Sequence, residues 1–428
     1  MNFNEYKSGF FDFIKSSPTA FHAVESVKKR LIAEGYTELS PRGEWEISAG
    51  GKYFTVKNGS SIIAFRGADA PRGFMICSAH SDTPSLRVKN SSAKASLYIG
   101  LDVERYGGAI LYSWLDRPLS VAGRVAYKIE GGVKTALVNI DRDLAVIPSV
   151  AIHQNRTVNE KFSPNPAVDM IPLLSAKADG TSLGSIIAEA AGVGEANIIS
   201  CDLYLYARDN PITFGAHDEL ILSPRLDDLG CVYAALESFI RADGTEAVPV
   251  LAIFDNEEVG SETKQGAAST FLSDTLKSIA GGEEKYRAML CDSLMVSADN
   301  AHAVHPNHPE LSDKGAPVLN GGVVVKYNAA QKYATDAVSA AVFKLIAERA
   351  GALTQDFYCR ADMPCGSTLG SIADTRVSVS TVDIGLPQLA MHSALETMGC
   401  DDLGEMIAAL SEFYSCAIVC EGDEIKLI

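Results

Sequence analysis

Residues 252–264 read AIFDNEEVGSETK, an apolar run that ends, without a turn, in Asp255, Asn256, Glu257 and Glu258. Two adjacent carboxylates at the end of a core strand are costly, because a charge taken out of water must be paired or bound to a cation. An isolated Glu-Glu is ordinarily a solvated loop, since charged side chains mostly lie at the surface. What else the chain brings to the same place decides between these readings.

Working outward, the strand AVPVLAIFD follows SPRLDDLGCVYAALESFIRADG, where Leu229, Val232, Tyr233, Leu236 and Phe239 fall at helical spacing and Asp227 and Asp228 stand at the helix mouth. GFMICSAHSD is a short apolar run that delivers His80 and Asp82, SLMVSAD ends in Asp299, and RVSVSTVDIG runs on towards His392. Near the N-terminus, SSPTAFHAVESVKKRLIAEGY predicts a helix with Ser17 as N-cap and Pro18 at the first position. Its buried face would hold Phe21, Val24, Leu31 and Ile32, and Gly35 would stop it. KYFTVKNGSSIIAFRG predicts a hairpin around Asn58-Gly59, and KYATDAVSAAVFKLIAERAG a helix closed by Gly351. This alternation indicates an α/β fold, one sheet with helices on both faces. Between 92 and 208 the texture changes to alternating strands that turn at Gly131-Gly132, with little helical periodicity before 182. The expected organisation is a discontinuous domain, 1–91 and 209–428, with a β-rich module at 92–208 inserted into it.

The 428 residues suffice for more than one core, and 47% hydrophobic with 21% charged residues is ordinary for a folded chain. A net charge of −17 argues against nucleic acid or an anionic membrane as partner, and leaves metal cations open. The first residues, MNFNEYKSGFFDFIKSS, lack the pattern of a secretory signal, and no apolar run approaches a bilayer span, so a cytoplasmic protein is expected. Nine cysteines without a CxxC pair suit free thiols in a reducing compartment.

His80, Asp227, Glu257, Glu258 and Asp299 each follow an expected strand or open a helix. The carboxyl ends of neighbouring strands in an open α/β sheet face one crevice, where side chains distant in sequence converge. Imidazole and carboxylate are the ligands that zinc or manganese selects. Taken singly, each has a plainer account as a core histidine or a helix cap.

Five stretches, SAHSDTPSLRVK, SPRLDDL, DNEEVGSETKQGA, SADNAHAVHPN and LPQLAMHSALETMG, resemble in order the signatures of the M18 metallopeptidases, the aspartyl aminopeptidase family. The resemblance implies a dinuclear-metal aminopeptidase domain, a mixed sheet flanked by helices, with an inserted β-rich dimerisation domain. It implies that Asp227 bridges two divalent ions, zinc first with manganese or cobalt as substitutes. His80 and Asp299 would hold one ion and Glu258 and His392 the other, with Asp82 orienting His80. Glu257 would be the general base. His302 would stabilise the oxyanion, Lys326 and Tyr333 would contact substrate, and His153 would enter a neighbouring subunit's site. Peptides with a free N-terminus, acidic first residues preferred, would be substrates of a homo-oligomer, a dodecamer built from dimers.

His22, His217, His305 and His308 receive no chemistry, and Asp228 is read as a helix cap or a support for Asp227. Cys77, Cys359 and Cys365 are read as small buried hydrophobes. The rival readings are a dinuclear deacylase or carboxypeptidase and a catalytically inactive binding member. A glycosidase using Glu257 and Glu258 fails because such carboxylates must flank a bond from opposite sides.

Overall fold

The computed structural model describes residues 3–95, 97–176, 182–243 and 246–428, with residues 90–95 as backbone only. Nine strands form the main sheet in the order Thr37–Glu38, Lys52–Lys57, Ser61–Arg66, Val248–Phe254, Phe74–His80, Leu294–Ala298, Ser380–Gly385, Val323–Tyr327, Thr354–Tyr358. The four from Val248–Phe254 to Ser380–Gly385 run parallel, so their carboxyl ends open on one side. Register carries this to single residues: Phe254 lies beside His80, and Ala298 beside Ile384.

Strand alternation sorts the core into two layers. Met75, Cys77, Ala79, Leu251 and Ile253 face a layer that includes Val24, Leu229, Val232, Phe343 and Leu403, from four helices. Phe74, Ile76, Val250 and Ala252 face the opposite way, onto Phe271, Leu276, Met289 and Leu369. The α/β fold with helices on both faces is therefore present. No helix among the described residues is long and apolar enough to cross a membrane.

A second, antiparallel sheet of six strands has the order Gly132–Asn139, Leu119–Ile129, Ile198–Ala207, Ser85–Ala95, Ile99–Tyr106, Leu173–Ser175. It has its own core, in which Leu86, Val121, Leu203 and Leu205 pack with Leu183 and Ile187 of the helix Leu183–Ala191. The chain enters this sheet at Ser85, earlier than the change of texture at 92 suggests, and its last strand ends at Ala207. Ser85–Ala95 reads SLRVKNSSAKA, too polar to announce a strand. A third sheet joins Ile212–Phe214, Leu220–Ser223, Glu396–Gly399, Pro387–Leu389 and Ala301–His302. It ties together the segments that lead into Asp227, into His392 and out of Asp299.

Three local expectations need correction. The helix Ala20–Ala33 takes Thr19 as N-cap, while Ser17 ends the preceding helix Lys7–Ser16, so the chain has two helices where one motif was legible. Its buried face is Phe21, Ala23, Val24, Val27 and Leu31, and Ile32 is 52% exposed. Cys359 and Cys365 form a disulfide with Cα atoms 5.8 Å apart, leaving seven free cysteines. The loop between them folds back on itself, which a spacing of six does not announce.

Thr19 Oγ1 lies 2.8 Å from His22 Nδ1, and burial lowers the His22 pKa from 6.5 to about 4, with help from the charge of Lys29. Between those values the unfolded chain binds a proton that the folded chain refuses. Stability should fall as pH drops through that window, by about 2 kcal/mol at pH 5. Denaturant unfolding of wild type and His22→Gln at pH 7.5 and 5 checks this: the variant should lose that share of the pH dependence.

Candidate active site

Each chemistry-bearing side chain is delivered by a strand end or a forced turn. His80 closes Phe74–His80 and is 1% exposed, and Asp299 follows Leu294–Ala298 and is 8% exposed. Asp227 and Asp228 precede the regular part of Leu226–Arg241, with backbone angles that are not helical and a cis peptide between them. After Phe254 the chain turns at Asn256, whose φ of 65° is left-handed, a region that asparagine tolerates better than most residues. Glu257–Val259 then form a 3-10 turn. The Glu-Glu pair thus sits on a turn and not on a strand end, and strand alternation does not separate its two carboxylates. Glu257 and Glu258 each offer an oxygen within 4.8 Å of a His80 ring nitrogen and of each other.

The structure brings His80, Asp227, Asp299, Glu258 and His392 together. His80 Nε2 is 3.4 Å from Asp227 Oδ1 and 3.8 Å from Asp299 Oδ1. On the other side, His392 Nε2 is 3.4 Å from Asp227 Oδ2 and 3.5 Å from Glu258 Oε2. Two ligand atoms of one tetrahedral zinc ion lie about 3.3 Å apart, so the observed separations fit shared cations. Asp227 Oδ1 and Glu258 Oε1 are buried without a hydrogen-bond partner, which a cation would remedy.

Electrostatics agree. Burial opposes the charge of Asp227, but His392 and His80 hold its pKa well below the usual carboxylate range. Burial pushes Glu257 up to about 8, with Asp299 and Asp82 adding to the rise. Glu258 is raised well above its ordinary value by burial and by Asp227. So many buried acids in one place need positive charge to be stable.

Further out, the partners differ in part from expectation. His80 Nδ1 meets the backbone oxygen of Asp82 at 3.0 Å, while the Asp82 carboxylate is 3.5 Å away. A carbonyl only accepts, so Nδ1 carries the proton and the Nε2 lone pair is free for a metal. It is the main-chain carbonyl of Asp82 that orients His80. The Asp82 carboxylate instead accepts from the backbone N–H groups of Glu257 and Glu258 at 3.0 and 3.2 Å. Asp228 Oδ2 accepts from the His80 N–H at 3.1 Å, a supporting role.

Sequence reasoning missed Glu396. Its carboxylate is 1% exposed and accepts from the N–H of Asp227 at 3.0 Å and of His392 at 2.7 Å, fixing both residues from behind. Its position four residues after His392 was the available signal. Gly107 and Gly108 were missed too. A Cβ on Gly108 would lie 2.9 Å from His392 Nδ1, and one on Gly107 would lie 3.1 Å from Glu258 Cβ, so only glycine allows this approach.

Of the residues read as substrate contacts, Lys326 is 2% exposed and neither a surface lysine nor a free counter-charge. Its ammonium donates to the carbonyls of Asp299 and Asn300 at 2.6 and 3.3 Å and lies 3.7 Å from Asp299 Oδ2. Burial works against that charge, yet Asp299, Tyr333 and Asp383 together outweigh it and the pKa is raised. Lys326→Met should therefore cost about 3 kcal/mol in denaturant unfolding and weaken metal retention. A role confined to substrate would instead raise KM at unchanged stability. Tyr333 is 5% exposed with its ring 5.2 Å from the Lys326 ammonium. His302 packs its ring 6.2 Å from Phe357 and stays open to solvent. His153 is exposed and belongs to none of the close groups of metal-ligating side chains among the described residues.

Residues 13–414 match the sequence pattern of the aminopeptidase I zinc metalloproteases, M18. A probable M18 family aminopeptidase 2 of Clostridium acetobutylicum is 43% identical over 427 residues, covering 96% of this chain and 99% of its own. Among solved structures, Ape4 from a cryo-EM complex with Nbr1 superposes with a TM-score of 0.93 at 34% identity, over 96% of this chain and 86% of its own. The mApe1 dodecamer of S. cerevisiae superposes with a TM-score of 0.83 at 28% identity, over 95% of each chain. On this evidence the chain belongs to the M18 family of zinc metalloproteases and is a metal-dependent aminopeptidase, a hydrolase of peptide bonds.

Proposed function

We propose that the protein is a dinuclear zinc aminopeptidase that removes the N-terminal residue of peptides, with acidic first residues preferred. One observation carries the dinuclear reading: the two oxygens of Asp227 face different histidines, Oδ1 towards His80 and Oδ2 towards His392. A carboxylate placed this way suits a bridge, with Asp299 completing one side and Glu258 the other. Bound there, divalent ions would supply Lewis acidity towards a water and the scissile carbonyl.

The chain's own groups do the rest. Glu257, half-buried beside the ligands, takes the proton of the attacking water and returns it to the leaving amine. His302, next to the Asp299 loop, stabilises the developing oxyanion. The acidic preference rests on the family resemblance alone, because Lys326 is engaged with Asp299. The second sheet is a dimerisation module within a cytoplasmic dodecamer. The exposed His153 and its exposed neighbours Val150 and Ile152 suit a segment that reaches a second copy.

A panel of aminoacyl p-nitroanilides, free and N-acetylated, with and without chelator, tests the proposal. Turnover should be confined to free amines, fastest with aspartyl or glutamyl substrates, lost on chelation and restored by Zn²⁺, Mn²⁺ or Co²⁺. Release of p-nitroaniline from the acetylated series would remove the need for a free amine, and release of acetate from it would transfer the reading to a deacylase. Faster turnover of leucyl than of acidic substrates would overturn the preference.

A further inference from the structure

From the hydrogen bonds that join the second sheet to the catalytic turn, we infer that Tyr106 is a positioning residue for Glu257 and Glu258. The second sheet thereby completes the catalytic centre of its own subunit. The inference rests on the general-base reading of Glu257.

Tyr106 ends the strand Ile99–Tyr106. Its hydroxyl donates to Asp82 Oδ2 at 2.7 Å and accepts from Asn256 Nδ2 at 2.9 Å. Asp82 is the carboxylate that receives the N–H groups of Glu257 and Glu258, and Asn256 is the left-handed residue that starts their turn. One hydroxyl therefore clamps both ends of the device that aims the two glutamates. The Asn256 amide has one workable orientation, because its oxygen already accepts from Thr263 Oγ1 at 2.9 Å and Gln265 Nε2 at 2.8 Å.

Burial and the nearby Asp82 and Asp255 carboxylates raise the Tyr106 pKa, so its proton stays available for Asp82 at any working pH. The ring meets Tyr204 of the neighbouring strand Ile198–Ala207 edge to face at 5.4 Å, which holds the hydroxyl in place. The next two residues are Gly107 and Gly108, the close backs of Glu258 and His392. The second sheet thus touches the site through a hydroxyl and two bare backbone units. Without the hydroxyl, Asp82 Oδ2 loses a donor, Asn256 Nδ2 loses an acceptor, and the turn is free to drift.

Tyr106→Phe keeps the ring and removes the link. In the full chain, saturated with Zn²⁺, kcat should fall about tenfold with KM within twofold, the scale of losing a partner outside the metal ligands. Leu183→Ala, in the core of the second sheet, is the control: it removes packing without touching Tyr106, Asp82 or Asn256, so it should lower Tm and leave kcat unchanged. Wild-type kcat in Tyr106→Phe overturns the inference, as does a deficit that added metal abolishes or that Leu183→Ala reproduces. Glu257→Gln is assayed alongside. If it retains turnover, the general-base reading fails and this inference with it; if it is inactive while Tyr106→Phe matches wild type, only the role of Tyr106 is lost.

Discussion

Glu257→Gln should retain its bound metal and its fold while kcat falls by about 10³-fold, the range of a lost general base. Gln is nearly isosteric and still carries an oxygen, so the turn held by Asp82 has no reason to move. What disappears is a group that can take a proton, and KM should stay within a few-fold. Elemental analysis and steady-state kinetics on the same preparation check this. A Gln variant with more than about a tenth of wild-type kcat would remove Glu257 from the mechanism.

The second large effect is expected at Asp227. It is 2% exposed, faces both histidines and receives no hydrogen bond on Oδ1. Asp227→Asn keeps the shape and removes the charge that both halves of the site share. Metal content should fall at both positions together, and kcat/KM should fall by about 10³-fold or more, since Lewis-acid stabilisation amounts to several kcal/mol. Thermal unfolding gives an independent reading. Cations that bind only the folded chain stabilise it by mass action, so chelation should lower the Tm of wild type and barely move that of Asp227→Asn. A variant that keeps full metal occupancy would show that Asp227 is not shared.

The sequence disclosed the parts of this site that follow from strand order. His80 and Asp299 each close an apolar run, and those runs lie parallel and adjacent, so their convergence follows from the sheet. Asp227 was legible from its place at a helix mouth, whereas His392 was legible only through a motif, because a loop and the third sheet carry it to the crevice. Glu396 and Tyr106 escaped because their work is done through backbone N–H groups and another carboxylate, contacts that leave no spacing pattern in the chain. Lys326, next to last in the strand Val323–Tyr327, read as a substrate contact; its burial depends on Asp299 arriving from a different strand end. The second sheet begins before residue 92 because Ser85–Ala95 carries little apolar alternation beyond Leu86 and Val88, and its pairing with Ile198–Ala207 comes from a remote part of the chain.

The central claim is that Asp227 stands between two cations. Crystals of active enzyme, measured above and below the absorption edge of the metal found by elemental analysis, test it directly. Two anomalous peaks should flank the Asp227 carboxylate, one among His80 and Asp299, the other among Glu258 and His392. A single peak, or none in contact with Asp227, would contradict the account.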